Sequence, residues 1–194
     1  MSRRNLNIMV DIDEVIFPLG DSIHALAHRE GLHDNSQPWM QWEAWLQYGC
    51  SEEAYWHIWE IFSKEGYYTS IAPEDGDVQA LYKLIDDGHR INLVTARGFF
   101  ANGTDVRRWT EEWLRKFMIP HHTLTFTQDK PATQRHLGRF DLAIDDSPEN
   151  YAALDADGVQ VWLQDHPYNR HFEDARRIED LSMFATLAAV EART

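Results

Sequence analysis

Five short apolar runs punctuate the chain: Leu6 to Asp11, Arg90 to Thr95, Thr123 to Thr127, Phe140 to Asp145 and Gly158 to Leu163. Each is rich in Ile, Val, Leu or Phe without clean alternation, as expected of strands covered on both faces. Between them lie stretches of helical periodicity. Val78, Leu81, Tyr82, Leu84 and Ile85 share one face that stops at Gly88, a C-cap candidate. Val106, Trp109, Trp113, Leu114 and Phe117 form another, with Thr104 placed to cap its start. Ser147-Pro148 opens a third helix, with proline at the first helical position, where its missing N–H costs nothing. This β-α-β-α order predicts a parallel sheet sandwiched by helices. The C-terminal pattern of Leu181, Phe184, Leu187, Ala188 and Val190 reads as a helix docking on that sheet, with a homodimer interface as its alternative use.

One interval breaks the rhythm. About 75 residues separate the first run from the second, where a crossover needs only about a dozen. The interval has helical signals of its own around Asp21 to Glu30, Pro38 to Tyr48 and Glu52 to Lys64, and it holds Trp39, Trp42, Trp45, Trp56 and Trp59. The first three are spaced three apart, as are the last two, so each set is expected to line one helix face. Residues 18–75 therefore read as a small helical cap inserted after the first strand, on a core made of residues 1–17 and 76–194.

Charge removes several function classes. Lys+Arg 18 against Asp+Glu 32 leaves a formal charge of −14, and no basic run is longer than two residues, which excludes a nucleic-acid polymer as partner. No stretch approaches the ~18 consecutive apolar residues of a membrane span, and Asn5 to Val10 is too short for a signal-peptide core. Cys50 is the single cysteine, so neither a disulfide framework nor a cysteine zinc cluster is expected. The histidines show no zinc-ligand spacing, His121-His122 reads as exposed, and no Gly-x-x-x-x-Gly-Lys-Ser/Thr phosphate loop is present. These features point to a cytoplasmic protein with one core.

The chemistry lies at the strand ends. In open α/β sheets ligands bind beyond the carboxyl ends of the strands. The first strand ends in Asp11-Ile12-Asp13-Glu14, the second in Val94-Thr95-Ala96-Arg97, and the fourth in Asp145-Asp146-Ser147; Asp129-Lys130-Pro131 follows the third. An Asp-x-Asp pair alone often only caps a helix, and an acidic rim can be merely solvated. Four such ends in sequence are a different matter: carboxylates gathered at one edge repel unless a cation neutralises them. All-oxygen ligands select a hard ion, Mg²⁺ first, which takes one or two carboxylates plus a phosphate. Lys130 and Thr95 would then supply the positive charge and the donor that a phosphoryl group needs.

Asp11-Ile12-Asp13, Thr95, Lys130 and Asp145-Asp146 resemble the four motifs of the haloacid dehalogenase superfamily, in order, over roughly residues 6–163. The inserted cap, the Val94-Thr95-Ala96-Arg97 run and the Asp165-His166-Pro167-Tyr168-Asn169-Arg170 segment are similar to the cytosolic-type 5′(3′)-deoxyribonucleotidases. The resemblance implies an α/β, Rossmann-like fold and a Mg²⁺-dependent phosphomonoesterase acting on nucleoside monophosphates. Asp11 would be the nucleophile, Asp13 the general acid and base, and Thr95 and Lys130 the holders of the transferring oxygens. Mg²⁺ would be held by Asp11, the Asp13 carbonyl and Asp146, with Asp145 either a ligand or a support behind one. Thr95, Ala96, Arg97 and Lys130 would line the substrate site with cap aromatics such as Trp45 and Trp56, and Arg97 would contact substrate or pair with an acid. Asn169 and Arg170 otherwise read as loop residues. The chain departs from the family at Glu14, where glycine is more usual, which puts the turn after the nucleophile in question. Two other readings stay open: a phosphatase of another small metabolite, and a non-catalytic nucleotide-binding protein on the same fold.

Overall fold

The computed structural model describes residues 4–34, 39–99 and 103–193. All five expected strands form: β1 (Asn7–Val10), β2 (Arg90–Thr95), β3 (Thr123–Phe126), β4 (Leu142–Asp145) and β5 (Gln160–Gln164). A sixth, β6 (Arg177–Ile178), was not expected, because two residues carry no periodic signal. The sheet is parallel throughout, in the order β3-β2-β1-β4-β5-β6.

The helices follow in chain order as α1 (Leu19–Arg29), α2 (Ala44–Tyr48), α3 (Glu52–Lys64), α4 (Tyr67–Ser70), α5 (Asp75–Asp86), α6 (Gly103–Lys116), α7 (Gln134–Leu137), α8 (Pro148–Ala156) and α9 (Leu181–Glu191). Successive strand residues point to opposite faces. Ile8, Val10, Ile91, Leu93, Leu142 and Ile144 enter one apolar layer with α5, α6 and α9, while Met9, Val94, Ala143, Val161 and Leu163 enter another with Tyr151 and Leu154 of α8. Two buried faces explain why the strands read as unbroken apolar runs.

Local signals account for most helix ends. Gly88, at φ +91°, donates to Ile85 O at 2.9 Å and His89 donates to Leu84 O at 3.0 Å, which closes α5 in a Schellman motif. Ser147 Oγ accepts the Asn150 N–H at 3.4 Å ahead of Pro148, so α8 starts as expected. Helix α6 begins at Gly103, which puts Thr104 inside the first turn rather than at the cap; the Thr104 side chain lies outside the described residues. Trp113 of α6 is fully buried, with its indole N–H donated to Ile71 O at 2.7 Å.

Other expectations are corrected. Tyr82 is exposed, and its hydroxyl donates to Met118 O at 2.9 Å. Of the His121-His122 pair, His121 is half-buried, while His122 is exposed as expected and its Nδ1 accepts the Ile91 N–H at 3.0 Å. Trp39 and Trp42 precede α2, so only Trp45 of that trio is helical, and Pro38 lies outside the described residues. Helix α9 buries Leu181, Phe184, Ala185 and Ala188 mainly against α5 and leaves Val190 exposed, so its apolar face is covered within the chain. No described helix is long and apolar enough to cross a membrane.

The α5–α9 junction buries a carboxyl group. Burial pushes Asp77 up to about 7, with Glu74 and Asp180 adding repulsion and the Leu181 N–H opposing them. The folded chain then holds this proton more tightly than the unfolded chain, whose carboxyl titrates near ~3.9. Its contribution to stability is complete below that value and is lost as pH rises through about 7. Asp77→Asn should therefore raise Tm by several degrees at pH 8 and change it little at pH 5. Thermal denaturation at the two pH values checks this; equal shifts would contradict it.

Candidate active site

The order of the sheet reverses at β1, and its four strands β3, β2, β1 and β4 deliver their carboxyl ends side by side. Such a reversal opens a crevice at the sheet edge. Asp11 leaves β1 with its N–H still bonded to Ile144 O at 3.1 Å, which holds it beside β4. Lys130, just before a 3-10 turn at Pro131–Thr133, is 1% exposed and runs beneath the crevice. Its Nζ lies 2.8 Å from Asp11 Oδ2 and 2.6 Å from Asp145 Oδ2.

The three carboxylates are not equivalent. Asp145 has both oxygens occupied: Oδ2 by Lys130, and Oδ1 by the Ser147 N–H at 3.0 Å and Asn150 Nδ2 at 3.1 Å. Asp146 Oδ2 accepts only from a neutral group, the Tyr168 hydroxyl at 2.7 Å. Asp11 Oδ1 is buried with no partner. One oxygen from each of Asp11, Asp145 and Asp146 lies within 4.8 Å of the others, and all three residues are buried. Burial raises Asp11 to about 7 against the pull of Lys130, and burial with the charges of Asp11 and Asp145 holds Asp146 well above the carboxylate range. Burial alone would lower the Lys130 ammonium, but Asp11 and Asp145 outweigh it and keep it charged. One cation for three buried carboxylates leaves the cluster short of positive charge.

The turn after β1 explains the residue at position 14. Glu14 sits at φ +58°, the left-handed region where a side chain is strained and glycine is at ease. Its carboxylate compensates by accepting from the Gly20 N–H at the start of α1. Burial pushes that carboxyl up to about 7 against the Gly20 bond, with Asp13 and Asp21 adding repulsion. Of the two roles open to Arg97, the structure has it pairing with an acid. Its Nε is 2.8 and 3.0 Å from the Asp13 oxygens and one terminal nitrogen is 2.6 Å from Oδ1, while the guanidinium lies 4.0 Å over the Phe17 ring. The Arg97 N–H also donates to Thr95 Oγ1 at 3.1 Å. Thr95 is fully buried, and its neighbour Ala96 lines the crevice instead.

A cavity of about 540 Å³ lies above this floor. Asp11, Asp13, Lys130 and Asp146 form its base; Trp39, Trp42, Trp45, Tyr55, Trp56 and Trp59 form its wall. The tryptophans thus converge although only part of the first set is helical. A side cavity of about 390 Å³ shares Asp13, Trp56, Trp59 and Ala96 and reaches Arg97 and Tyr68. Sequence reasoning read Asn169 as a loop residue and gave Tyr168 no role of its own, yet the structure brings both against Asp146: Tyr168 donates to its Oδ2, and Asn169 Nδ2 donates to its carbonyl at 2.9 Å. The available signal was their position, just past the carboxyl end of β5 on the same sheet edge as the four motifs.

Over residues 4–193 the chain matches the family described as "5' nucleotidase, deoxy (Pyrimidine), cytosolic type C protein". It is 28% identical over 182 residues to a protein of Chlorobaculum tepidum named "Putative 5'(3')-deoxyribonucleotidase", covering 91% of this chain and 87% of the other. Among solved structures it is similar to an L-2-haloacid dehalogenase, with a TM-score of 0.61 at 10% identity, covering 95% of this chain and 99% of that one. It is also similar to the D,D-heptose 1,7-bisphosphate phosphatase of B. bronchiseptica, complexed with magnesium and phosphate, with a TM-score of 0.54 at 16% identity, covering 96% and 99%.

Lys130 is the cluster's own counter-charge. Lys130→Met should lower the unfolding free energy by roughly 3–5 kcal/mol, the cost of leaving buried charges unpaired. The measurement is the denaturant midpoint at pH 7 in EDTA, with the m-value unchanged. A loss below about 1 kcal/mol would show that the three carboxylates do not depend on this ammonium.

Proposed function

This chain belongs to the cytosolic type C family of deoxy 5′ nucleotidases, and on that premise we propose that it hydrolyses nucleoside monophosphates, deoxyribonucleotides foremost, through an aspartyl-phosphate on Asp11. It is a phosphoric monoester hydrolase acting on a small-molecule phosphate. The observation that carries the reading is the asymmetry of Asp11: Oδ2 is fastened to Lys130 at 2.8 Å, while the buried Oδ1 has no partner on the floor of an open cavity.

Asp11 Oδ1 attacks phosphorus, which divides one difficult displacement into two easier ones. Lys130 holds the other Asp11 oxygen and faces the phosphoryl oxygens as charge gathers on them. Thr95 assists from beneath, its hydroxyl held in place by the Arg97 N–H. Asp13 gives a proton to the leaving oxygen and later takes one from the attacking water. Its place between the two cavities suits that role, because the leaving nucleoside and the phosphate must lie on either side of it. Arg97 orients Asp13 rather than touching substrate.

The donor set fits Mg²⁺: hard carboxylate oxygens from three buried aspartates within 4.8 Å of one another, and a shortage of positive charge. Asp11, Asp146 and the Asp13 carbonyl would hold it, and Asp145 supports the site from behind because both its oxygens are already bonded. When bound, the ion neutralises charge between the nucleophile and the phosphate. Residues 18–75 act as the cap over the core, and Trp45 and Trp56 are the aromatics assigned to stack on the base and exclude water. The reading is of a cytoplasmic enzyme.

Phosphate release from ribo- and deoxyribonucleoside monophosphates, beside sugar phosphates and an aryl phosphate, tests this. Release should need Mg²⁺, disappear in EDTA and in Asp11→Asn, and fall roughly 10²–10⁴-fold in Asp13→Asn. Trp56→Ala should raise KM for nucleotides several-fold and leave the aryl phosphate unaffected. Activity confined to sugar phosphates would discard the substrate and keep the chemistry. An Asp11→Asn chain that still turns over would discard the nucleophile.

A further inference from the structure

Past the end of β5 the chain turns back across the sheet edge, and its side chains point inward. Asn169 is fully buried and Tyr168 is 3% exposed. Every hydrogen-bonding atom of the Asn169 side chain is in use. Nδ2 donates to Asp146 O at 2.9 Å and Gln164 O at 2.8 Å, and Oδ1 accepts from the His166 N–H at 3.2 Å and from Arg177 at 2.8 Å. Arg177, on β6, also donates to the main chain at Asn169 and Phe172, which ties the turn to the outermost strand. His166 Nε2 lies 2.8 Å from Glu14 O; a carbonyl only accepts, so this nitrogen carries the proton. One short turn thus grips the main chain of both acidic loops, at Glu14 after β1 and at Asp146 after β4.

Tyr168 adds a contact of a different kind. Its hydroxyl, a single donor, goes to Asp146 Oδ2 at 2.7 Å. The ring is fixed by stacking on His166, with centroids 5.2 Å apart and planes within 4°, and by Trp39 at 4.7 Å. The adjacent Asp145 is held by an ammonium that cancels its charge. A phenol holds a carboxylate in one orientation without cancelling anything. Asp146 is therefore oriented without being tied to a protein cation, so the carboxyl that lines the cavity stays open to a metal ion, which an ion pair would prevent.

We infer that Tyr168 is a positioning residue for the Asp146 carboxylate, and that Asn169 does the same for the Asp146 main chain, so that the turn after β5 sets the affinity of the site for its divalent cation. This rests on the reading of Asp146 as a ligand of that cation. Hydrogen bonds that orient metal-ligating groups are worth ~10–100-fold in metal affinity.

Tyr168→Phe removes the hydroxyl and keeps the ring. The probe is Mn²⁺, titrated into the metal-free chain and followed by electron paramagnetic resonance, with Mg²⁺ affinity read by competition. The Kd for both ions should rise about tenfold or more, the Mg²⁺ concentration for half-maximal phosphate release should rise in parallel, and Tm in EDTA should fall by no more than a few degrees. Should Tyr168→Phe fail to fold, Trp39→Ala, which loosens the ring without touching Asp146, should raise the Kd in the same direction. A parent chain that binds no Mn²⁺ overturns the metal assignment and the inference with it. A parent that binds, with an equal Kd in the variant and only a lower Tm, overturns the inference alone.

Discussion

One buried ammonium among three buried carboxylates governs this molecule. Lys130, in the segment after β3, meets Asp11 past the end of β1 and Asp145 at the end of β4, so both contacts depend on the parallel order β3-β2-β1-β4. The bonds at 2.8 and 2.6 Å join side chains that are all buried, and burial is what makes an unmatched charge costly. The cluster therefore rewards one alignment of the sheet and opposes every other. It also sets three carboxylates against a single ammonium, a shortage of positive charge that suits the divalent cation proposed above.

The surrounding chain divides the labour among chemically identical side chains. Asp145 is saturated by Lys130, Ser147 and Asn150, Asp146 is steered by a neutral phenol, and Asp11 keeps one oxygen bare. Asp13 pairs with Arg97 and lines both the main and the side cavity. Environment, not residue type, sets these four aspartates apart, and the roles proposed for them follow that difference. The insertion between β1 and α5 supplies the wall that a bare sheet edge lacks, and its aromatic rings close on the crevice from above. Glu14 ties the two together. It accepts the strain of a left-handed backbone and uses its carboxylate to hold the first turn of α1.

Much of this was legible before any coordinates. The strands are buried on both faces, so their apolar runs were unbroken, and Gly88 and Ser147-Pro148 marked helix ends through strictly local bonds. Asp11, Asp13, Thr95, Lys130 and Asp145-Asp146 stood out because each follows a strand in the same sense, and a parallel sheet must bring such positions to one edge. The errors have equally physical causes. Trp39, Trp42 and Trp45 share a helical spacing, yet two of them lie in irregular chain, because packing over Gly20 and Tyr168 and not periodicity gathers them. Thr104 resembles a cap, but α6 starts one residue earlier. Strand β6 is held by pairing with Leu163 and Gln164 rather than by any propensity of Arg177 and Ile178.

What the sequence by itself determined was the class of fold, the sheet edge where the acids gather and the inventory of charges on it, since all three follow from local pattern and from the geometry that every parallel sheet shares. What only the tertiary structure decided was how those charges are paired. Whether Arg97 faces substrate or Asp13, which of two adjacent aspartates stays available to a cation, and whether Tyr168 and Asn169 are loop or brace all depend on contacts between residues as far apart as 13 and 97 or 14 and 166. Such pairings are set by which donors arrive within about 3 Å of a buried acceptor once the layers have packed. That distance is a property of the assembled core, and no local pattern encodes it.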